Sequence, residues 1–383
     1  MKLMEYMGGA LMKQYGIPCS AGVVLDVKDD AATCEKRLDR MTFPCVLKAQ
    51  VEAGGRGKAG GIQVVDSVQE ARQKLAMLFN LTIKNLPVCK VYAVPKTEIA
   101  HEFYLSVMLD RDHRCPVLIF SRFGGVDIEA VAARNPEDVQ KIGMDPRTGL
   151  QPYHVTYVAS KAGLEPELLK PLQALAAQLY QLFCEKDAML AEINPLVKTA
   201  QGELMALDAK VVVDDSALAR NPDIAAFREA LDEDPLVVEA RTFRFLYIPI
   251  EDGGNVAVMS NGSGMIMSCI DLLSKESAKV GTALDLGGGA TSDRVAEGIR
   301  IIFKNPGLSV LFINIFGGIT RCDEIAGGIE VAVKKLAPGC KLVVRMEGTN
   351  KEQGLKILGR LGGAVTVVDN IREGVAATIE RMS

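Results

Sequence analysis

The sequence has no tryptophan, only three histidines and 5% aromatic residues. Surfaces that bind nucleic acid interleave basic patches with stacking rings. Here Lys and Arg number 44 against 48 Asp and Glu, a formal net charge of −4, so no nucleic-acid partner is expected. Long apolar runs are also missing. A membrane span needs about 18 apolar residues or more, whereas the best candidate, Leu308 to Phe316, is short and includes Ser309 and Asn314. Glu5, Lys13 and Gln14 interrupt the N-terminal stretch where a signal peptide carries its apolar segment. These absences lead us to expect a cytoplasmic protein with no membrane partner. Cysteines stand at 19, 34, 45, 89, 115, 184, 269, 322 and 340, with no CxxC pair. An odd set without paired spacing reads as free thiols in a reducing compartment, not as a disulfide frame or zinc site. His101, His113 and His154 have no Cys or carboxylate at ligand spacing, and neither GxSxG nor HExxH occurs. No nucleophile is evident, so either the substrate or another chain must supply one.

What the chain does have is length and apolar content. Its 383 residues, 48% hydrophobic, suit two or three domains with large cores. In the last third, apolar β-branched runs alternate with Gly- or Asn-bearing loops and helical patterns. Strands are predicted near Val256–Ser260, Thr282–Leu286, Ser309–Ile315, Leu342–Arg345 and Val365–Val368. The following helices begin near Gly264, Ser292, Arg321, Lys351 and Ile371. This alternation predicts a doubly wound parallel sheet covered on both faces, with ligand loops at the carboxyl ends of the strands. Those loops are Asn261 to Gly264, Gly287 to Ala290 and Gly317 to Thr320.

Residues 1–235 predict instead an α+β domain of hairpins and helices. A helix over Tyr6–Tyr15, strands over Val46–Val51 and Ile62–Val65, and a Ser67-capped helix to Phe79 open it. Strands near Val88–Val94, Glu102–Leu109 and Val117–Ser121, a helix over Glu165–Cys184 and strands over Ala188–Ile193 and Glu203–Val213 follow. The boundary is expected within Asn221–Arg241, giving domains 1–235 and 236–383.

Three constellations can carry chemistry. A hairpin turning at Ala200-Gln201-Gly202 pairs positions of constant sum, so Asn194 faces Asp208 and Glu192 faces Lys210. With side chains alternating at period two, all four share one face. An Asn oxygen beside a carboxylate suits Mg²⁺, which takes one or two protein oxygens plus water and phosphate. A solvated polar hairpin face is the plainer alternative. The run Ala53 to Gly61 has five glycines with Arg56 and Lys58 and follows a strand holding Lys48. Backbone N–H groups with adjacent cations fold over phosphates, although the spacing is neither GxxxxGK[ST] nor GxGxxG. The alternative is a mobile charged turn. Gly317 to Thr320 ends a strand and opens a helix at Arg321, where N–H groups can hold a carboxylate or phosphate. The alternative is a tight turn that needs glycine.

Taken together, Glu5-Tyr6 with Tyr15-Gly16, Ala53 to Gly61, Glu192 to Leu196, Leu284 to Thr291 and Asn314 to Asp323 resemble the β subunits of succinate–CoA ligases over essentially the whole chain. The resemblance implies an N-terminal ATP-grasp domain and a C-terminal CoA-ligase domain of flavodoxin-like type. It implies conversion of a nucleoside triphosphate (ATP or GTP), CoA and a carboxylic acid to ADP or GDP, phosphate and acyl-CoA. It further implies an α subunit that carries the CoA site and a phosphorylated histidine. By position, Lys48 and Gly55-Arg56-Gly57 fall on the nucleotide phosphates, and Val94, Thr97 and Glu102 on the hinge and ribose side. Asn194 and Asp208 fall on the Mg²⁺ ligands. Glu192 falls beside the incoming phosphohistidine, which with Arg56 makes the catalytic pair. Asn261 and Gly318-Ile319-Thr320 fall on the acid site.

The chain departs from the family at Val94, where Glu is usual, at Ala209 and Thr320, and over Ser277 to Thr282. Malate, itaconate or a sulfonated short acid are therefore alternatives to succinate. A different ATP-grasp carboxylate ligase, or a non-catalytic subunit of the same fold, is a more distant reading.

Overall fold

The computed structural model describes residues 1–383 apart from 53, 229, 230, 232, 336–340 and 383. Ala53 at the head of the Gly-rich run, Cys340 and part of the expected boundary stretch therefore lie outside the described residues. Contacts divide the chain into two compact units, Met1–Leu231 and Asp232–Ser383.

The first unit runs α1 (Glu5–Gln14), β1 (Val23–Asp26), α2 (Ala31–Leu38), β2 (Cys45–Gln50), β3 (Ile62–Val65) and α3 (Val68–Phe79). A small hairpin, β4 (Thr82–Ile83) and β5 (Leu86–Pro87), precedes β6 (Lys90–Pro95), β7 (Ile99–Asp110) and β8 (Cys115–Ser121). Then come α4 (Ile128–Arg134), β9 (Val139–Gly143), α5 (Pro152–Lys161), α6 (Leu169–Glu185), β10 (Ala188–Thr199), β11 (Leu204–Ala206), β12 (Ala209–Val213) and α7 (Pro222–Arg228). Two antiparallel sheets result. One has the order β1-β6-β2-β3; the other has the order β11-β10-β7-β8-β9, with β12 also on β10.

Local chemistry accounts for these elements. The Ser67 hydroxyl accepts the Glu70 N–H and the Glu70 carboxylate accepts the Asp66 N–H, which together start α3. Leu172, Leu175, Ala176, Leu179, Leu182 and Phe183 recur at helical spacing and bury one face of α6. Each such large side chain contributes about 1.5–3 kcal/mol on burial. That helix starts later than the sequence pattern suggests, because Pro166–Leu168 forms a 3₁₀ turn first. The strand expected over Ala188–Ile193 continues to Thr199, since its partner β7 is equally long.

The second unit runs α8 (Pro235–Thr242), β13 (Leu246–Pro249), β14 (Val256–Ser260), α9 (Ser263–Lys275), β15 (Val280–Asp285) and α10 (Ser292–Ile302). It continues through β16 (Val310–Gly317), α11 (Cys322–Val333), β17 (Lys341–Gly348), α12 (Lys351–Leu358), β18 (Val365–Val368) and α13 (Ile371–Arg381). The sheet order is β13-β15-β14-β16-β17-β18. From β15 to β18 the pairing is parallel. Every residue of β14 is buried, as expected of strands covered on both faces.

Beside the expected parallel strands lies one the sequence pattern did not announce: the edge strand β13 pairs antiparallel with β15. The connection from Pro249 to Val256 is short. A parallel arrangement would need a crossover of a dozen residues or more, so the chain reverses direction instead. Strand order reverses around β14, with β15 on one side and β16 on the other. In such sheets the crevice outside the strand ends at this point is where ligands bind.

Candidate functional site

In the first unit the site begins with strand alternation. Phe103, Leu105 and Val107 of β7, Ala191 and Ile193 of β10, and Ala209 and Val211 of β12 are buried in one hydrophobic core. The intervening positions face the other way. Register sets Ser106 beside Glu192 and Glu192 beside Lys210. The Asn194 N–H donates to the Asp208 carbonyl at 3.3 Å, so the hairpin has the expected pairing.

The side chains are engaged less simply. Pairing with β7 shifts after Ile193, and Asn194 reaches a neighbouring loop. Its Oδ1 accepts the Gly125 N–H at 2.8 Å and its Nδ2 donates to the Val126 carbonyl at 3.0 Å. Asp208 accepts from Arg56 at 2.5 Å. Lys210 lies 3.6 Å from Glu192, which also accepts the Tyr104 hydroxyl at 3.1 Å.

Lys48 on β2 is buried and does not line the cavity that holds Asn194 and Asp208, whereas Arg56 on the Gly-rich run does. Between them stands Glu5, at the start of α1. Lys48 donates to Glu5 Oε1 and Arg56 to Glu5 Oε2, both at 2.7 Å. Lys48 also donates to the Leu207 carbonyl at 2.7 Å. Two cations thus meet two carboxylates, Glu5 and Asp208, in a largely buried cluster. Ion groups out of water persist only when paired and hydrogen-bonded. Burial alone would raise the Glu5 carboxyl, but Lys48 and Arg56 hold it below its ordinary value. Burial, with Glu5 nearby, instead pushes Asp208 up to about 6, against the pull of Arg56 and Lys48. Arg56 is stabilised in its charged form: burial opposes this, and Asp208 and Glu5 outweigh it.

Gly55, Arg56, Gly57, Glu192, Asn194 and Asp208 line one cavity of about 570 Å³. Lys2, Lys58 and Lys210 join them, giving it a cationic rim suited to phosphates. Val94 lines a second, small cavity with Cys19, Ser20 and Tyr92, and Glu5 borders both. Thr97 and Glu102 line neither cavity. Thr97 follows β6, and Glu102 on β7 packs under Gly125, whose added Cβ would meet its carboxylate at 2.3 Å. Among the described residues no cluster of three or more His, Cys, Asp or Glu could hold a metal. The oxygens of Asn194 and Asp208 nevertheless fit Mg²⁺, which completes its shell with water and phosphate.

Asn261 and Gly318 to Thr320 belong to the second unit and lie at the carboxyl ends of β14 and β16. Asn261 binds the backbone of Phe316 twice: its Nδ2 donates to the carbonyl at 2.9 Å and its Oδ1 accepts the N–H at 3.1 Å. Thr349 donates to the Gly318 carbonyl at 3.1 Å. Thr320 is 1% exposed and accepts the Gly289 N–H at 3.0 Å. Its hydroxyl oxygen thereby ties two Gly-rich loops together. Ile319, 87% exposed, is what the loop presents. At the start of α11, Arg321 holds the Asp323 carboxyl down to about 2.

Sequence reasoning assigned no role to Glu5, Tyr104 or the Gly125–Val126 loop. A signal for Glu5 existed: it falls at helical spacing with Gly8 and Met12 on the buried stripe of α1. A carboxylate on that stripe needs a cation.

The ATP-grasp domain family matches residues 2–198, and the CoA-ligase family matches residues 259–378. Fold and domains together define an acid–thiol ligase. The chain is 38% identical to the ADP-forming succinate–CoA ligase β subunit of Persephonella marina over 390 residues, covering all of both chains. It is 41% identical to the GDP-forming β subunit of Thermus thermophilus over 358 residues, 94% of this chain and 93% of that one. The chain belongs to the succinate–CoA ligase β-subunit family. The fold is also shared with ATP citrate lyase from Methanothrix soehngenii, solved with citrate and coenzyme A, at TM-score 0.81 and 18% identity over 99% of each chain.

Proposed function

We propose that this chain is the nucleotide-handling β subunit of a succinate–CoA ligase. In this reading residues 1–235 bind the nucleotide and 236–383 form the CoA-ligase domain. The observation that carries it is one cavity faced by Arg56 on a Gly-rich loop and by the oxygens of Asn194 and Asp208 on a hairpin. Lys48, Gly55, Arg56 and Gly57 would hold the phosphates, through side-chain cations and backbone N–H groups. Val94, Thr97 and Glu102 would serve the base and ribose. Asn194 and Asp208 would hold Mg²⁺, which when bound supplies charge neutralisation to the phosphates. To ligate, the Asp208 carboxylate must leave Arg56, freeing that guanidinium for phosphate.

Glu192 is assigned to the exchange of phosphoryl with a phosphohistidine carried by a partner α subunit. That partner would also carry the CoA site. The overall conversion is nucleoside triphosphate, CoA and carboxylate to nucleoside diphosphate, phosphate and acyl-CoA. Asn261, Gly318, Ile319 and Thr320 would border the acid, and the N-terminus of α11 would favour the negative charge in transfer. The Thr320 side chain is buried and its hydroxyl oxygen is turned inward to Gly289, so this departure from the family presents no exposed polar group to the acid. That favours succinate over hydroxylated or sulfonated acids. Both ADP- and GDP-forming relatives exist, so ATP and GTP are both tested. The expected location is the cytoplasm.

The experiment is to co-purify the chain with its native partner and supply ATP or GTP, Mg²⁺, CoA and a panel of short acids. Succinyl-CoA as the dominant thioester by mass spectrometry is the expected result. No thioester from an intact, nucleotide-binding complex would overturn the proposal, and malyl- or itaconyl-CoA would overturn its choice of acid.

A further inference from the structure

Strand alternation that turns Glu192 toward the cavity also brings up a residue with no assigned role. Tyr104 lies on β7, two positions from Ser106, so both share the face of the sheet opposite the core residues Phe103, Leu105 and Val107. Ser106, Glu192 and Lys210 make one row across β7, β10 and β12. Tyr104 is 3% exposed, and its hydroxyl donates to Glu192 Oε2 at 3.1 Å. Lys210, on the other flank, lies 3.6 Å from the same oxygen. Glu192 itself lines the cavity with Arg56, Asn194 and Asp208. One carboxylate oxygen is thus fixed from below by a buried phenol and from the side by a half-exposed ammonium.

We infer that Tyr104 is a positioning residue that aims the Glu192 carboxylate into the phosphoryl-transfer cavity. Two physical points support this. A free Glu side chain on a strand samples several rotamers, and a group that acts on a transferring phosphoryl must be held in one geometry. A hydrogen bond to a charged oxygen, made by a ring that is itself locked in packing, is a stiff way to do this. A phenol also gives up no charge to the cavity. Burial followed by the nearby Glu192 carboxylate pushes its own proton loss well above the ordinary tyrosine range, so it stays a donor throughout the working pH range. Lys210, half-exposed and 3.6 Å away, completes the cradle but sets it less rigidly.

The inference rests on the proposed role of Glu192, and its test separates the two. In the complex with the native partner, Tyr104→Phe keeps the ring and its packing and removes only the hydroxyl. Transfer of labelled phosphoryl from ATP to the partner is measured at saturating and at limiting nucleotide, beside Glu192→Gln and wild type. The expected result is a kcat about tenfold lower for Tyr104→Phe, the size of one hydrogen bond to a charged group. KM for the nucleotide and the thermal midpoint should stay at wild-type values, which a merely structural role would not produce. A wild-type kcat for Tyr104→Phe while Glu192→Gln is impaired overturns the positioning role alone. Wild-type transfer by Glu192→Gln overturns the reading of Glu192 on which it rests. A fall in midpoint that accounts for lost activity, with Tyr104→Phe and Tyr104→Leu equally affected, would make Tyr104 a packing residue only.

Discussion

Arg56 and Asp208 stand 2.5 Å apart, Nη2 to Oδ2, joining a Gly-rich loop to a hairpin 152 residues further along the chain. The other guanidinium nitrogen donates to Glu5 at 2.7 Å. One cation is therefore shared by two carboxylates, and only one of these, Asp208, is a candidate metal ligand. Glu5 can keep Arg56 at the cavity when Asp208 turns elsewhere. Lys48 is held to Glu5 in the same way, so Glu5 tethers both of the cations proposed for the phosphates.

Removing Glu5 should be costly. Glu5→Ala leaves Lys48 and Arg56 buried without their common counter-ion, and breaking a buried pair in this way costs about 3–5 kcal/mol. A clear fall in the urea midpoint of the purified chain is expected, with Glu5→Gln intermediate because it keeps part of the hydrogen bonding. An unchanged midpoint for Glu5→Ala would show that the cluster contributes nothing net.

The same residue sets an acid response. The folded pKa of Glu5 is held below the ordinary 4.5, so its contribution to stability is fully present above that value. It is lost as pH falls through the depressed folded value. The wild-type chain should lose stability on acidification below 4.5, and Glu5→Gln should lack this component. Parallel stability–pH curves for the two proteins would contradict the assignment.

Gly124 controls the loop that holds Asn194. A Cβ added there would lie 2.2 Å from the Phe103 carbonyl oxygen, a contact that only a backbone shift can relieve. Gly124→Ala should cost about 1–3 kcal/mol, as overpacking does. It should also loosen the neighbouring Gly125 N–H that donates to Asn194. Hydrogen exchange at Gly125 reads this directly, and unchanged protection would contradict it.

Cys19 should be a poor nucleophile. Burial pushes its thiol from 9.0 up to about 11, so near pH 8 its thiolate fraction is about a hundredfold below that of a free cysteine. Pulsed iodoacetamide labelling with peptide mapping should find Cys19 modified far more slowly in the native chain than in urea. Equal rates would contradict the partly buried placement.

Much of this was legible in the sequence. Apolar runs alternating with Gly-bearing loops located β14, β16 and β18, and Ser67 marked the start of α3. Constant-sum pairing gave the register of Glu192 with Lys210. What escaped was long-range chemistry. Glu5 meets Lys48 and Arg56 across 43 and 51 residues, and no local period records such a pair. Asn194 pairs with Asp208 as expected, but that its carboxamide binds Gly125 and Val126 was not legible. The edge strand β13 escaped because its four residues lack a helical crossover to announce them.

The most direct test of the account is phosphoryl transfer itself. The chain, in complex with its native partner, is given Mg²⁺ and ATP labelled at the γ-phosphate, and acid-labile label on the partner is measured for wild type and Asp208→Asn. Rapid labelling is expected of wild type, with loss of at least about a hundredfold, on the order of removing one preorganised electrostatic group, in an Asp208→Asn complex that still assembles. Equal labelling by both would contradict the nucleotide–metal site at the centre of this reading.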